Sequence, residues 1–414
     1  MYLASVERPA TLDRTKATKI AANVLALGTV SLVTDVSSEM VSAILPLYLV
    51  VGLGLGPAVY GLVDGLYTGA TALLRLAGGY IADKVQRRKL VAGLGYGISA
   101  VAKAGLLLAG GSPAGIGAAI VADRAGKGLR TAPRDAMITL SMPEEGLGRA
   151  FGVHRAMDSA GAFAGPLVAI GVLAASGQAF DAVFVVSGCV AAIGVLVLVL
   201  FVRDRPVRVP GKVVNLRQAA KLLERGKVRL LLFGAILLGL SAIGDGFVYL
   251  LLQRREDIAI GWFPLLAVGT SLVYLIMAVP LGALADRAGR TRVFLGGYAA
   301  LLAVYLILAT SWSGWGALVT VLLLYGVFYA ATDGVLMAVA GPLLPPELRT
   351  TGLALIQTGQ AVAYLVSSVL FGLAWQWWGA AGATRAAVAA ATLTLAGSAV
   401  MFLRTRQTPA QAAA

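Results

Sequence analysis

Apolar runs of roughly 20 residues recur from one end of this chain to the other, and that recurrence leaves few folds open to it. An α-helix needs about that length to cross the ~30 Å hydrocarbon of a bilayer. Spanning helices satisfy their own backbone hydrogen bonds, whereas a membrane β-barrel would show ~10-residue stretches of alternating polarity. No such alternation is present. Of the 414 residues only 13% are charged and 58% are hydrophobic. A soluble domain carries about 25% charge, and this chain has too little to cover one water-facing core. The expected fold class is all-α integral membrane: twelve transmembrane helices in two six-helix pseudo-repeats, with the N and C termini cytoplasmic.

The expected spans are approximately 21–50, 56–82, 89–110, 113–140, 148–174, 180–202, 230–252, 261–284, 292–311, 315–340, 350–374 and 382–403. They divide the chain into a cytoplasmic tail (1–20), an N-terminal six-helix bundle (21–202), a linker (203–229), a C-terminal six-helix bundle (230–403) and a second tail (404–414). With the N-terminus inside, 24 of the 34 Lys and Arg fall on cytoplasmic segments or at the cytoplasmic ends of spans (Lys89, Arg149 and Arg292). Three fall on the outer side, Arg385 at the outer end of the last span among them. That is the positive-inside pattern, so the net charge of +14 reports topology and not a nucleic-acid partner. The location expected is the cytoplasmic (inner or plasma) membrane, multi-pass. Residues 1–19 are polar and the first apolar run holds Asp35 and Glu39, so no cleaved leader is expected. The single cysteine, Cys189, reads as a small packing residue of the sixth span. In the linker, Val214, Leu216, Leu222 and Leu223 alternate with Arg217, Lys221 and Arg225 at helical spacing. An amphipathic helix on the anionic inner leaflet fits that pattern, and a cytoplasmic linker without structure is the alternative.

The halves on either side echo each other. Gly79-Tyr80-Ile81-Ala82-Asp83-Lys84 returns 203 residues later as Gly282-Ala283-Leu284-Ala285-Asp286-Arg287. Parallel repeats of this kind build transporters whose halves rock around a midplane site. The full loop pattern, G-x-x-x-D-[RK]-x-G-[RK]-[RK], resembles the signature of the major facilitator superfamily. The first copy keeps Gly79, Asp83, Lys84, Arg87 and Arg88, with Gln86 in place of the second glycine. The second keeps Gly282, Asp286, Arg287, Gly289 and Arg290 before Thr291 departs from it. The resemblance implies a conformational latch, with Asp83 set against a helix N-terminus near Thr350 and Thr351. A turn carrying topology-setting charges is the plainer reading. In span 5, Gly152, Gly161, Gly165 and Pro166 resemble the antiporter motif of the 12-helix drug:proton exporters, with Ala169-Ile170 where that motif ends in two glycines. Glycines at this spacing let another helix approach closely, and proline bends the span. The resemblance implies a seal between halves, and export.

Ionisable residues inside spans are costly and so are functional candidates. Span 4 holds Asp123, Arg124, Lys127, Arg130, Arg134 and Asp135. At 100° per residue they occupy an arc of roughly 140°, which must face protein or a water-filled cavity. A proton-coupled carrier needs a carboxyl whose environment changes between states. Asp35, Glu39 and Asp158 are the candidates, with Arg124 or Arg155 as modulating partner; a static ion-pair network is the competing reading. The superfamily resemblance aligns Arg124 to Gly128 with an arginine motif tied to proton transfer. Arg130, Arg134 and Asp135 suit a gate or surface role nearer the cytoplasmic end. His154 reads as a hydrogen-bonding residue or a proton relay. With no second histidine or cysteine beside it, a transition-metal cage is not expected, nor is a cofactor.

Asp64, Lys127, Asp245, Tyr329, Asp333, Gln357 and Gln360 are the candidates for lining a substrate cavity. Tyr249, Trp262, Tyr274 and Phe328 either form an adaptable apolar wall or pack against neighbours. Trp375, Trp377 and Trp378 read as interfacial belt residues. The function expected is proton-coupled efflux of a small organic or amphipathic compound by alternating access. The expected partners are a small-molecule substrate, protons and the bilayer, around a functional monomer. The rivals are a proton-driven importer or exchanger of an anionic or zwitterionic solute, and distantly a membrane enzyme. For the latter no catalytic constellation or phosphate loop is evident.

Overall fold

Ser112 and Pro113 show how this chain starts a helix. The Ser112 hydroxyl accepts from the Gly115 N–H at 3.2 Å, and proline fills the first helical position, where no N–H is needed. The structure, a computed structural model, describes residues 20–85, 87–143, 146–204, 224, 226–333, 335–340, 343–344 and 349–406, and among these residues every regular element is a helix. The first half comprises α1 (Ala22–Leu47), α2 (Pro57–Val85), α3 (Arg88–Ala109), α4 (Pro113–Thr139), α5 (Leu147–Ala175) and α6 (Phe180–Phe201). The second comprises α7 (Gly226–Gly239), α8 (Asp245–Glu256), α9 (Pro264–Ala288), α10 (Arg290–Ala309), α11 (Trp315–Thr332), α12 (Val335–Ala340) and α13 (Arg349–Arg406). Between α9 and α10, Gly289 takes φ 101°, a conformation that favours glycine and turns the chain at the second loop motif.

Among the described residues, eight helical stretches are long and apolar enough to cross a membrane. The last, Leu355–Met401, covers two expected spans, divided where Gly379 turns to φ 70°. The seventh expected span is broken instead of continuous: α7 ends at Gly239 and α8 starts at Asp245. The backbone freed by this break finds a partner in Tyr305 of α10. Its hydroxyl accepts from the Ile243 N–H and donates to the Ser241 carbonyl, each at 3.0 Å. Non-helical backbone at membrane depth persists only with such satisfaction. The tenth expected span is likewise divided, between α11 and α12.

Within the first half α1 packs on α5 and α6, and α3 on α4 and α6; within the second, α11 packs on α9 and α10. The halves meet through α2 with α13, α5 with α9, and α1 with α8. Close approach of α2 to α13 relies on glycine. A Cβ on Gly65 would stand 2.9 Å from the Leu365 carbonyl oxygen, and one on Gly372 would stand 2.6 Å from that of Pro57. At this end Phe247 of α8 sits among Tyr60, Phe371 and Trp375, with ring centroids 4.7, 4.8 and 5.7 Å away. Trp375 therefore departs from the belt reading. It is 5% exposed and lies under the Arg254 guanidinium, while Trp377 and Trp378, on other faces of the helix, are exposed. Cys189 also departs from expectation: it is exposed on the outer face of α6.

Candidate functional site

The polar arc of α4 faces inward. Asp123, Arg124 and Arg130 are buried, and Lys127, Arg134 and Asp135 are half-buried. Three clusters follow. In the first, Asp123 accepts hydrogen bonds from both Arg124 and Lys103 of α3, and the Arg124 guanidinium lies 3.7 Å from the centroid of Tyr67. Lys103, 2% exposed, was not singled out from the sequence. The signal was there, in a lone cation within an otherwise apolar span.

The second cluster joins α1, α4 and α5. The Asp35 and Asp158 carboxyls lie within hydrogen-bonding reach of each other, a contact two carboxyl groups can make only when a proton lies between them. Arg130 stands 3.7 Å from Asp35, and Arg134 stands 3.8 Å from Asp158. Arg134 also pairs with Asp135 at 3.0 Å and donates to Ser31 at 3.3 Å. The Ser31 hydroxyl in turn bonds His154 at 2.9 Å, giving His154 a built-in hydrogen-bonding role. Lys127 lies among Asp35, Glu39 and Asp158. The guanidinium groups beside the carboxyl pair are thus those of Arg130 and Arg134, not of Arg124 or Arg155. Arg130 and Arg134, four residues apart on α4, both meet the α1–α5 seam, whereas Arg124 stacks on Tyr67 of α2. Arg155 is exposed.

The third cluster bridges the halves. Asp64 of α2 accepts from Ser368 at 2.6 Å and from Tyr60 at 3.3 Å. It lies against Gly244, at the break before α8, where a side chain would strike its carboxylate. One residue on, Asp245 accepts from Tyr325 at 2.8 Å and from Tyr329. Among the described residues no Lys or Arg is a hydrogen-bonding partner of either carboxylate. Of the remaining cavity candidates, Asp333 accepts from Tyr274 at 2.9 Å, Gln360 donates to Tyr298 at 3.4 Å, and Gln357 is exposed. Tyr249 and Phe328 are buried among other aromatic rings, and Trp262 is exposed.

Gly161 and Gly165 of α5 press on the α1 backbone. A Cβ on Gly161 would stand 2.9 Å from the Leu32 Cα, and one on Gly165 2.6 Å from the Glu39 Cβ. Gly152 faces open space, and Pro166 sits within the helix. Gly165→Leu is therefore expected to cost about 1–3 kcal/mol by overpacking. Gly152→Leu is expected to stay within about 0.5 kcal/mol of the parent. Thermal unfolding of the purified variants in detergent measures both, and equal midpoints would contradict the packing assigned to Gly165.

In the second loop motif Arg290 pairs with Asp286 at 3.0 Å and reaches the Ala338 carbonyl at 2.8 Å, tying α10 to α12. Arg287 is exposed and Gly282 borders open space. In the first, Arg88 is buried and Arg87 exposed. The side chains of Asp83, Lys84, Thr350 and Thr351, the surroundings of Gly79, and the expected amphipathic helix of the linker lie outside the described residues.

A sequence model of the Major Facilitator Superfamily matches residues 27–259 and 256–414. The chain is 33% identical over 370 residues to an uncharacterised MFS-type transporter of Methanocaldococcus jannaschii, spanning 86% of this chain and 89% of that one. Among solved structures it is similar to the nucleoside transporter NupG, with a TM-score of 0.77 at 15% identity over 92% of this chain and 98% of that one. It is also similar to a bacterial homologue of the human lysosomal transporter Spinster in an inward-facing, occupied conformation. There the TM-score is 0.73 at 16% identity, over 93% of this chain and 96% of that one. At such identities these structures speak for the fold alone.

Proposed function

The chain belongs to the Major Facilitator Superfamily, and from that premise we propose that it is a secondary active transporter that exports a small organic or amphipathic compound in exchange for protons. In this reading twelve spans form two six-helix repeats, both termini lie in the cytoplasm, and one chain suffices for function. One observation carries the reading: the Asp35–Asp158 carboxyl pair, set between α1 and α5 with Arg130 and Arg134 beside it. Closer guanidinium contact favours loss of the shared proton and dehydration favours keeping it. A carrier alternating between two packings can therefore load the proton on one side and release it on the other.

The cargo site is assigned to the seam between halves, where Asp64, Asp245, Tyr325 and Tyr329 gather. A cargo held by both halves can bias the two states by its differing affinity for them. Gly161 and Gly165 pack α5 on α1 within the first half, so the seal between halves that the exporter motif implies would fall to other faces of α5, which also meets α9. Lys127, half-buried among carboxylates, with Arg155 exposed, supports a second reading: import or exchange of an anionic or zwitterionic solute.

Accumulation of a chemically diverse compound panel in efflux-deficient cells separates the two directions. Cells making the protein are expected to hold less of at least one compound, and to refill when the proton gradient is collapsed. Gradient-dependent accumulation above the control would contradict export and support the second reading.

A further inference from the structure

A groove of about 1050 Å³ runs along the outer face of the first half, over α3 and between α4 and α6. Its α3 side is kept low by Gly93, Gly97 and Gly105 at helical spacing, and Ala122 and Val199 belong to its walls. Leu94 and Val101, 58% and 72% exposed, stand along the same helix. Arg87 and Lys89 close one end. Asp204 also lies there, one carboxylate oxygen accepting from the Lys89 N–H at 3.0 Å and the other buried without a partner among the described residues, so that the end carries two cations against one carboxylate. Arg87 is exposed, and among the described residues the Lys89 ammonium donates one bond, to the Val199 carbonyl at 2.9 Å, of the three its N–H groups can make.

The distance along α3 from Lys89 to Gly105 is about 24 Å at ~1.5 Å per residue, longer than the roughly 15 Å of hydrocarbon in one leaflet. An apolar trench of that length, with cations at the end where α3 begins, matches an acyl chain ending in a negatively charged phosphodiester. We propose that this groove binds one molecule of anionic phospholipid, its chain along Gly93, Gly97 and Gly105 and its phosphate at Arg87 and Lys89. The inference rests on the membrane-spanning reading alone, and neither proton coupling nor direction enters its test.

Native mass spectrometry of the full-length protein, released from detergent after titration with phosphatidylglycerol or phosphatidylcholine of matched chains, reads out the site. One phosphatidylglycerol is expected to be retained in preference to phosphatidylcholine. Arg87→Gln with Lys89→Gln is expected to weaken it roughly 30-fold, as two interfacial cations are lost. Gly97→Leu fills space in which a Cβ meets no atom within 4 Å, so it should fold normally and block retention. It keeps the test alive if the double variant misfolds. Equal binding of both lipids, unchanged in Gly97→Leu, would overturn the proposal in favour of bulk lipid. A dimer of the parent that Gly97→Leu converts to monomer would overturn it in favour of a second copy in the groove.

Discussion

Asp123→Ala is expected to destabilise the folded protein by about 3–5 kcal/mol, because it strips the carboxylate bonded to both Lys103 and Arg124. These cations are 2% and 3% exposed and sit on neighbouring helices, so neither can turn to water without opening the α3–α4 packing. Tyr67, stacked on the Arg124 guanidinium, offsets a part of the lost charge and no more. With entropy scaled to 414 residues, the unfolding midpoint should fall by roughly 3–6 °C. Adding Lys103→Met should recover part of the loss, since one buried charge is removed with the shape retained. A midpoint for Asp123→Ala equal to the parent's would show that the triad is reached by water.

The second large effect is functional. Asp35→Asn is expected to leave insertion and substrate exchange intact while reducing gradient-driven export by about 5–150-fold, the range of a linkage between two ligands. An amide at this position still hydrogen-bonds Asp158 but cannot take up and release the proton. Arg130, 3.7 Å from Asp35, then faces an uncharged partner, so the variant is expected to be somewhat less stable as well. Retained exchange separates this outcome from misfolding, because exchange needs the same rocking of halves without net proton movement. Asp158→Asn should behave alike, the proton belonging to the pair and not to one residue.

Helices were legible from run length, and the loop and span-5 motifs pointed to the family, because spans and superfamily turns are written in contiguous residues. Gly289 illustrates this: the motif asks for glycine where the backbone turns to φ 101°. The carboxyls of the second cluster were also legible, since any ionisable group in an apolar run stands out. Their partners were not. Which arginine of the α4 arc meets Asp35 depends on the rotation of α4 against α1 and α5, and periodicity leaves that rotation open. Lys103 carried the same signal; what the sequence does not show is its partner, Asp123, 20 residues away on the next helix. The bond from Ser368 to Asp64 closes 304 residues of sequence and follows only from the docking of two halves. The break before α8 depends on Tyr305 of another helix to satisfy it, although the glycines at 239 and 244 bracket it in the sequence. Trp375 was misplaced because composition sees three tryptophans where the helix turns one of them inward.

The central claim is that the Asp35–Asp158 pair couples transport to protons. It is tested most directly by proton movement in everted membrane vesicles energised to an inside-acid gradient and challenged with the compound panel. Vesicles bearing the parent protein are expected to lose part of the gradient when a substrate is added, and vesicles bearing Asp35→Asn, or none of the protein, are expected to hold it. Equal loss in the parent and in Asp35→Asn would contradict the account and remove this carboxyl pair from the coupling mechanism.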